Sequence, residues 1–278
     1  MGGNYTGESA NVRASMPTVH SVDGTTIGFT RTGRGAPLVL VHGISADAER
    51  WAPVMQGLEE RFTVYAMDRR GRGASGDGPS YAIARDVEDV VALVDAIAEP
   101  TYLFGHSYGG LCTLHALLHT TLVRKLVVYE PYAPVSAASE PSATTMRYLA
   151  MAERGEREAI VTTFLREIIQ LSEAEVRAMR ALPSWAGRLA AALTIPRELA
   201  AAEQFRFEPS RFADVRVAIT MLLGEKSPEF LKDATTRLHA VLPTSEITVL
   251  EGQKHSAMNT APALFVRELS AALTRPDP

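Results

Sequence analysis

The pentapeptide Gly105-His106-Ser107-Tyr108-Gly109 sets a serine between two glycines, after the apolar run Thr101 to Phe104 and before the apolar stretch Leu111 to Leu118. A strand that turns through such a segment into a helix holds its serine at the apex of a sharp, strained turn. Glycines on either side are needed because a Cβ at those positions would crowd neighbouring backbone. In that setting Ser107 reads as a nucleophile for acyl chemistry. A serine hydroxyl is weak at neutral pH and needs a base within hydrogen-bond reach, and that base needs a carboxylate to fix its tautomer. Of the seven histidines, His20, His115, His119 and His239 lie in strand or helix patterns, where packing and surface roles are commoner. His42, His106 and His255 remain.

Groups so far apart in sequence can meet only on a shared scaffold, and the chain reads as an alternating one. Val19 to Val22 and Thr26 to Thr30 form a hairpin signal across Asp23-Gly24. Pro37 to Val41, Thr63 to Met67, Thr101 to Phe104 and Leu126 to Tyr129 read as buried strands, and the spacing from Ile83 to Ile97 predicts a helix with one core face. From about Ala133 to Phe212 the pattern is helical, with a helix over Glu158 to Leu171 and a capping box at Ser172 to Glu175. Strand and helix alternation returns at Val215 to Leu223, Glu246 to Leu250 and Ala261 to Leu273. The expected architecture is α/β, a mostly parallel sheet covered by helices. It divides into a disordered leader (1–16), a core (17–132 and 213–278) and a helical cap (133–212).

Four segments together carry a family resemblance: His42-Gly43, Asp68-Arg69-Arg70-Gly71-Arg72-Gly73-Ala74-Ser75, Gly105 to Gly110, and Gly252-Gln253-Lys254-His255. From roughly Val19 onward the chain resembles the α/β-hydrolase superfamily. The resemblance implies the α/β-hydrolase fold with a cap inserted into it. It also implies that His255 is the base, in the loop after Ile247 to Leu250, with His42 beside the oxyanion loop and His106 within the turn. The oxyanion donors it implies are the backbone N–H groups of Ile44 and Tyr108. An aspartate at the nucleophile position marks haloalkane dehalogenases and epoxide hydrolases, so Ser107 argues against both activities.

The acid departs from the commonest pattern of that family. An aspartate shortly after the strand ending Met221-Leu222-Leu223-Gly224 is usual, but Glu225-Lys226-Ser227-Pro228 follows here. The aspartate position aligns with Ser227, which carries no charge. Glu130 is the alternative: it ends the strand Leu126 to Tyr129, at the sheet edge where α/β proteins assemble their sites, in an apolar run where an unpartnered carboxylate would be costly. This is similar to haloalkane dehalogenases and zearalenone-type lactonases, in which an acid after the same strand completes the triad. Glu225 and then Asp233 are the other options.

Composition narrows the partners. A formal charge of −4 and 28 dispersed Lys and Arg provide no basic field for nucleic acid. Met1 to Met16 has no apolar core of a signal peptide, and no stretch reaches the roughly 18 apolar residues of a membrane span. A cytoplasmic location follows as an expectation, and Asn4-Tyr5-Thr6 then reads as polar leader rather than glycosylation acceptor. Cys112 is the single cysteine, which excludes an internal disulfide, and its apolar surroundings suit a buried thiol. Gly71 to Gly76 formally satisfies G-x-G-x-x-G, but three charged residues separate it from its strand and Pro79 prevents a helix from opening on it.

No metal-ligand spacing is present, so the expected chemistry needs neither cofactor nor metal. The expected partner is a small, largely apolar ester or lactone. Trp51 and Trp185 are expected to bind it, with Tyr148, Phe164 and Phe205 as further possible lining. Pro183 to Trp185 and Thr194 to Pro196 resemble cap segments of the zearalenone-type lactonases. The competing expectations are perhydrolysis, C–C bond hydrolysis or acyl transfer at the same site, and a non-catalytic binding protein.

Overall fold

A computed structural model describes residues 16–132 and 140–276. The expected leader, save Met16, and the first residues of the expected cap, 133–139, lie outside the described residues.

Eight strands form one sheet: β1 (Thr18–His20), β2 (Thr26–Gly33), β3 (Ala36–Val41), β4 (Phe62–Met67), β5 (Thr101–His106), β6 (Val123–Tyr129), β7 (Ala218–Gly224) and β8 (Ser245–Leu250). Their order is β1-β2-β4-β3-β5-β6-β7-β8, with β1 and β2 antiparallel and every pairing from β4 through β8 parallel. The hairpin joins β1 to β2 across Gly24, whose φ of 83° suits a residue without a Cβ. All six residues of β5 are buried, as expected of a central strand covered on both faces.

Alternation along β3 divides the core. Val39 and Val41 pack with Leu103, Leu111 and Val128 on one face, and Leu38 and Leu40 with Trp51, Phe104 and Phe265 on the other. The helix expected from Ile83 to Ile97 has those limits, and buries Val87, Val90 and Val94 on its inner side. Helices Ala52–Glu59 and Glu229–Val241, not singled out by the sequence patterns above, also flank the sheet.

Among the described residues between β6 and β7 the chain forms helices: Ala143–Glu153, Arg157–Thr163, Glu173–Arg180, Trp185–Ala190 and Ile195–Gln204. This block has its own core, centred on Tyr148, Ile160, Val161 and Ile195. The capping box forms, with Ser172 Oγ accepting from Glu175 N–H and Glu175 Oε2 accepting from Ser172 N–H at 2.8 Å. The helix expected over Glu158 to Leu171 is corrected: its α-helical part ends at Thr163 and a π turn runs from Phe164 to Ile168. Side-chain periodicity is blind to one extra residue in a turn, and such turns gather at functional sites.

Charge fastens the block to the core. Glu198 accepts from Arg69 at 3.1 Å and from Arg72, all three side chains being buried. The loop that mimics a dinucleotide fingerprint is filled by its own side chains. Asp68 accepts the Ala48 and Ala74 N–H groups, each at 2.8 Å, while Arg69 and Arg70 pair with Asp86 and Asp89 at 2.6 and 2.7 Å.

Candidate active site

Ser107 sits between β5 and the helix Tyr108–Ala116, with φ 56° and ψ −120°. A non-glycine residue with positive φ costs on the order of 1–3 kcal/mol and persists only where surroundings fix it. Here its N–H donates to the Tyr129 carbonyl at 2.9 Å, and its own carbonyl accepts from Gly110 at 2.8 Å and Tyr132 at 3.2 Å. The flanking glycine is needed for space. A Cβ on Gly109 would stand 2.5 Å from the carbonyl oxygens of Val41 and His42.

The next parallel strand delivers a buried carboxylate. Glu130 follows β6 at φ 45°, is fully buried, and divides its carboxylate between two partners. Oε1 accepts from Gly224 N–H at 2.7 Å, and Oε2 lies 2.5 Å from His255 Nδ1. A proton on Nδ1 in this pair leaves Nε2 as the basic nitrogen on the far side of the ring. His255 and Ser107 line one cavity. Glu225 is exposed and accepts instead from Gly252 N–H at 2.7 Å, bracing the His255 loop from outside. Asp233 is exposed on the helix Glu229–Val241. Ser227, at the position usual for an acid, is buried and its hydroxyl has no hydrogen-bond partner.

The other two histidines near Ser107 are committed to backbone. His42 donates from Nδ1 to the Gly43 carbonyl at 2.9 Å and accepts the Arg69 N–H on Nε2 at 3.2 Å. His106 donates from Nε2 to the His255 carbonyl at 2.9 Å. Burial first, and then neighbouring arginines, hold both rings well below the ordinary imidazole range, so both are neutral. His115 packs against Phe205, Phe207 and Phe212, and burial lowers it to about 4.

Tyr108 is the first residue of its helix, so its N–H has no intrahelical acceptor. The His42-Gly43-Ile44 loop closes over the same point: a Cβ on Gly43 would lie 3.0 Å from Ser107 Cβ. Ile44 and Tyr108 both line the cavity, which measures about 310 Å³ and is also walled by Phe164, Ile168, Leu199 and Phe230. A second opening of about 610 Å³ meets it at His255, between Met179, Leu182 and Lys254.

The aromatic expectations need correction. Trp51 is fully buried in the core, edge-on to Phe104 with centroids 5.5 Å apart, and Trp185 packs in the helical block with Arg180 over its ring at 5.8 Å. Neither lines these cavities. Apolar spacing marks a buried face without telling whether protein or ligand covers it, and of the five aromatics only Phe164 reaches the site. Two residues beside Ser107 were missed altogether, the buried Arg50 and Arg188, because arginine in a helical stretch ordinarily signals solvent.

Cys112 is a buried free thiol pushed up by burial. Among the described residues no group of three or more His, Cys, Asp or Glu side chains could hold a metal ion, and no helix is long and apolar enough to cross a membrane.

This arrangement of sheet, turn and inserted helices agrees with a family match over residues 38–268, and the chain belongs to the alpha/beta hydrolase family. Its fold is shared by an alpha/beta hydrolase from Sphaerobacter thermophilus, 33% identical, with a TM-score of 0.81 over 93% of this chain and 100% of that one. Two curated relatives match more narrowly. An N-formylmaleamate deformylase from Pseudomonas putida is 35% identical over 108 residues, 37% of this chain and 40% of that protein. A pimeloyl-[acyl-carrier protein] methyl ester esterase from Vibrio atlanticus is 35% identical over 112 residues, 40% of this chain and 42% of that protein. The match thus spans about two fifths of the length of either curated relative.

Proposed function

We propose that this chain is a serine hydrolase that cleaves a carboxylic ester or lactone of a small, largely apolar substrate through an acyl-enzyme on Ser107. The observation that carries the reading is the fully buried Glu130 carboxylate 2.5 Å from His255 Nδ1, with His255 and Ser107 on one cavity. Ser107 Oγ attacks the carbonyl carbon while His255 Nε2 takes its proton. Glu130 holds the ring and stabilises the imidazolium, and the N–H groups of Ile44 and Tyr108 receive the oxyanion. His255 then protonates the departing alkoxide. Water, deprotonated by the same nitrogen, attacks the acyl-enzyme and releases the acid.

In this reading the insertion between the core segments 17–132 and 213–278 acts as a cap, with Phe164, Ile168 and Leu199 closing the acyl cavity. Support also comes from the relatives, one named for methyl ester cleavage and one for deformylation. The test is a turnover screen over aryl esters, alkyl esters and lactones with Ser107→Ala as control. Turnover lost in Ser107→Ala supports the reading, and a folded wild-type protein inactive on every ester and lactone contradicts it. Product analysis in isotopically labelled water separates hydrolysis from acyl transfer: one label must enter the released acid.

A further inference from the structure

Beside Ser107 and His255 lies a smaller recess, continuous with the main cavity through Ile44, Phe164 and Ile169. Its charged lining is unusual. Arg50, on the turn Ala48–Trp51, is only 7% exposed, and its Nη2 reaches no more than Met258 Sδ at 3.2 Å and Ser256 Oγ at 3.5 Å. Its Nε has no hydrogen-bond partner, and among the described residues it makes no ion pair. Arg188, on the helix Trp185–Ala190, is 5% exposed and donates from Nη1 to the carbonyl (2.5 Å) and hydroxyl (2.9 Å) of Ser45. Asp47 offsets part of the Arg188 charge, but no Asp or Glu lines the recess.

Elsewhere the same protein does not tolerate this. Buried Arg69, Arg70 and Arg72 each reach a carboxylate, namely Asp86, Asp89 and Glu198. A buried cation without its anion is costly, and Arg50, with a second buried arginine beside it, is poised for an anion from outside. Burial, together with the mutual repulsion of the pair, lowers Arg50 to about 9, and burial lowers Arg188 to about 10, so both remain charged at neutral pH. The recess is small, about 30 Å³, and Leu165, Ile169 and Met179 close the remaining wall.

We infer that Arg50 and Arg188 form a carboxylate-binding subsite, and that the substrate cleaved at Ser107 carries a free carboxylate seated there. The inference rests on the hydrolase reading for its reaction but not for its binding. The substrate class is then a half-ester of a dicarboxylic acid, or a lactone bearing an acid. Arginine suits the task because its planar fork meets both carboxylate oxygens and stays charged when desolvated.

The probes are the monomethyl esters of succinic, glutaric and adipic acids against the matching dimethyl esters, and glutarate as a non-reacting ligand. For at least one chain length, kcat/KM favours the acid-bearing ester about tenfold or more, and the preference falls with added salt. Arg50→Met collapses that ratio by about tenfold, chiefly through KM, and Arg188→Met lowers it in the same direction. The melting temperature of Arg50→Met does not drop, whereas an arginine kept for structure would lower it. Calorimetry with Ser107→Ala shows glutarate binding that the additional Arg50→Met change abolishes. Preference for the neutral diesters throughout, equal loss on both substrates with a lowered melting temperature, or no glutarate binding to folded Ser107→Ala would overturn the subsite. A wild-type protein that binds glutarate through Arg50 yet cleaves no ester overturns the hydrolase reading alone.

Discussion

Glu130 carries the most specific expectation at the level of single side chains. Its two oxygens are both engaged, one by Gly224 N–H and one by His255 Nδ1, so Glu130→Gln keeps the shape but presents an amide that cannot stabilise an imidazolium. We expect kcat to fall by about 10³ to 10⁴, on the precedent of triad acids, while Glu225→Gln changes it less than about threefold because Glu225 faces solvent. Steady-state kinetics on one activated aryl ester decides between them, and the reverse ranking would assign the acid to Glu225. Gly43→Ala is a second case. The added Cβ would stand 3.0 Å from Ser107 Cβ and 3.1 Å from the His106 carbonyl oxygen, so the Ile44 loop and the Ser107 turn must part by a few tenths of an ångström. Loss of one oxyanion donor costs about 10²-fold or more in kcat, and circular dichroism should show a retained fold.

The elements that hold these residues differ in how openly the chain announced them. Ser107 was legible because its turn is local: strand, two glycines and helix lie within a few residues. Glu130 was legible because a charged residue closing an apolar strand before Pro131 has no reason to be there without a partner. The π turn at Phe164 to Ile168 was not, because periodicity does not register one extra residue in a turn, nor was the burial of Arg50 and Arg188, which depends on how the helical block lies on the sheet. Trp51 shows the same limit from the other direction, as an aromatic taken for pocket lining that fills the core.

The helix behind Ser107 makes a prediction about pH. His115, enclosed by three phenylalanines, titrates at about 4 when folded and near 6.5 when unfolded. Between those values the unfolded chain binds more protons, so stability rises with pH across that window and is lost as pH falls through it. The full difference is about 3 kcal/mol. Urea melts from pH 7 to 4 should show this slope, and His115→Gln should flatten it.

In the whole molecule, the helical block and the sheet are joined by a buried charge cluster in which Glu198 serves both Arg69 and Arg72. Removing that one carboxylate leaves Arg72 without its ion-pair partner and Arg69 with Asp86 alone. We expect Glu198→Gln to destabilise by about 3 kcal/mol, read as a lowered urea midpoint. An unchanged midpoint would mean that the apolar contacts of the block suffice to hold it. The same junction encloses the cavity at Ser107, so the variant should also raise KM for an ester held under Phe164 and Leu199.

A fluorophosphonate reagent, followed by mass spectrometry of the digested protein, addresses the chemistry most directly, because it reacts far faster with a serine whose hydroxyl is activated by its neighbours than with an ordinary one. The arrangement of Ser107, His255 and Glu130 predicts one adduct per chain on the peptide containing Ser107, absent in Ser107→Ala and formed at least about a hundredfold more slowly in Glu130→Gln. A folded protein that takes no label, or takes it on another residue, would contradict the assignment of Ser107 as the nucleophile.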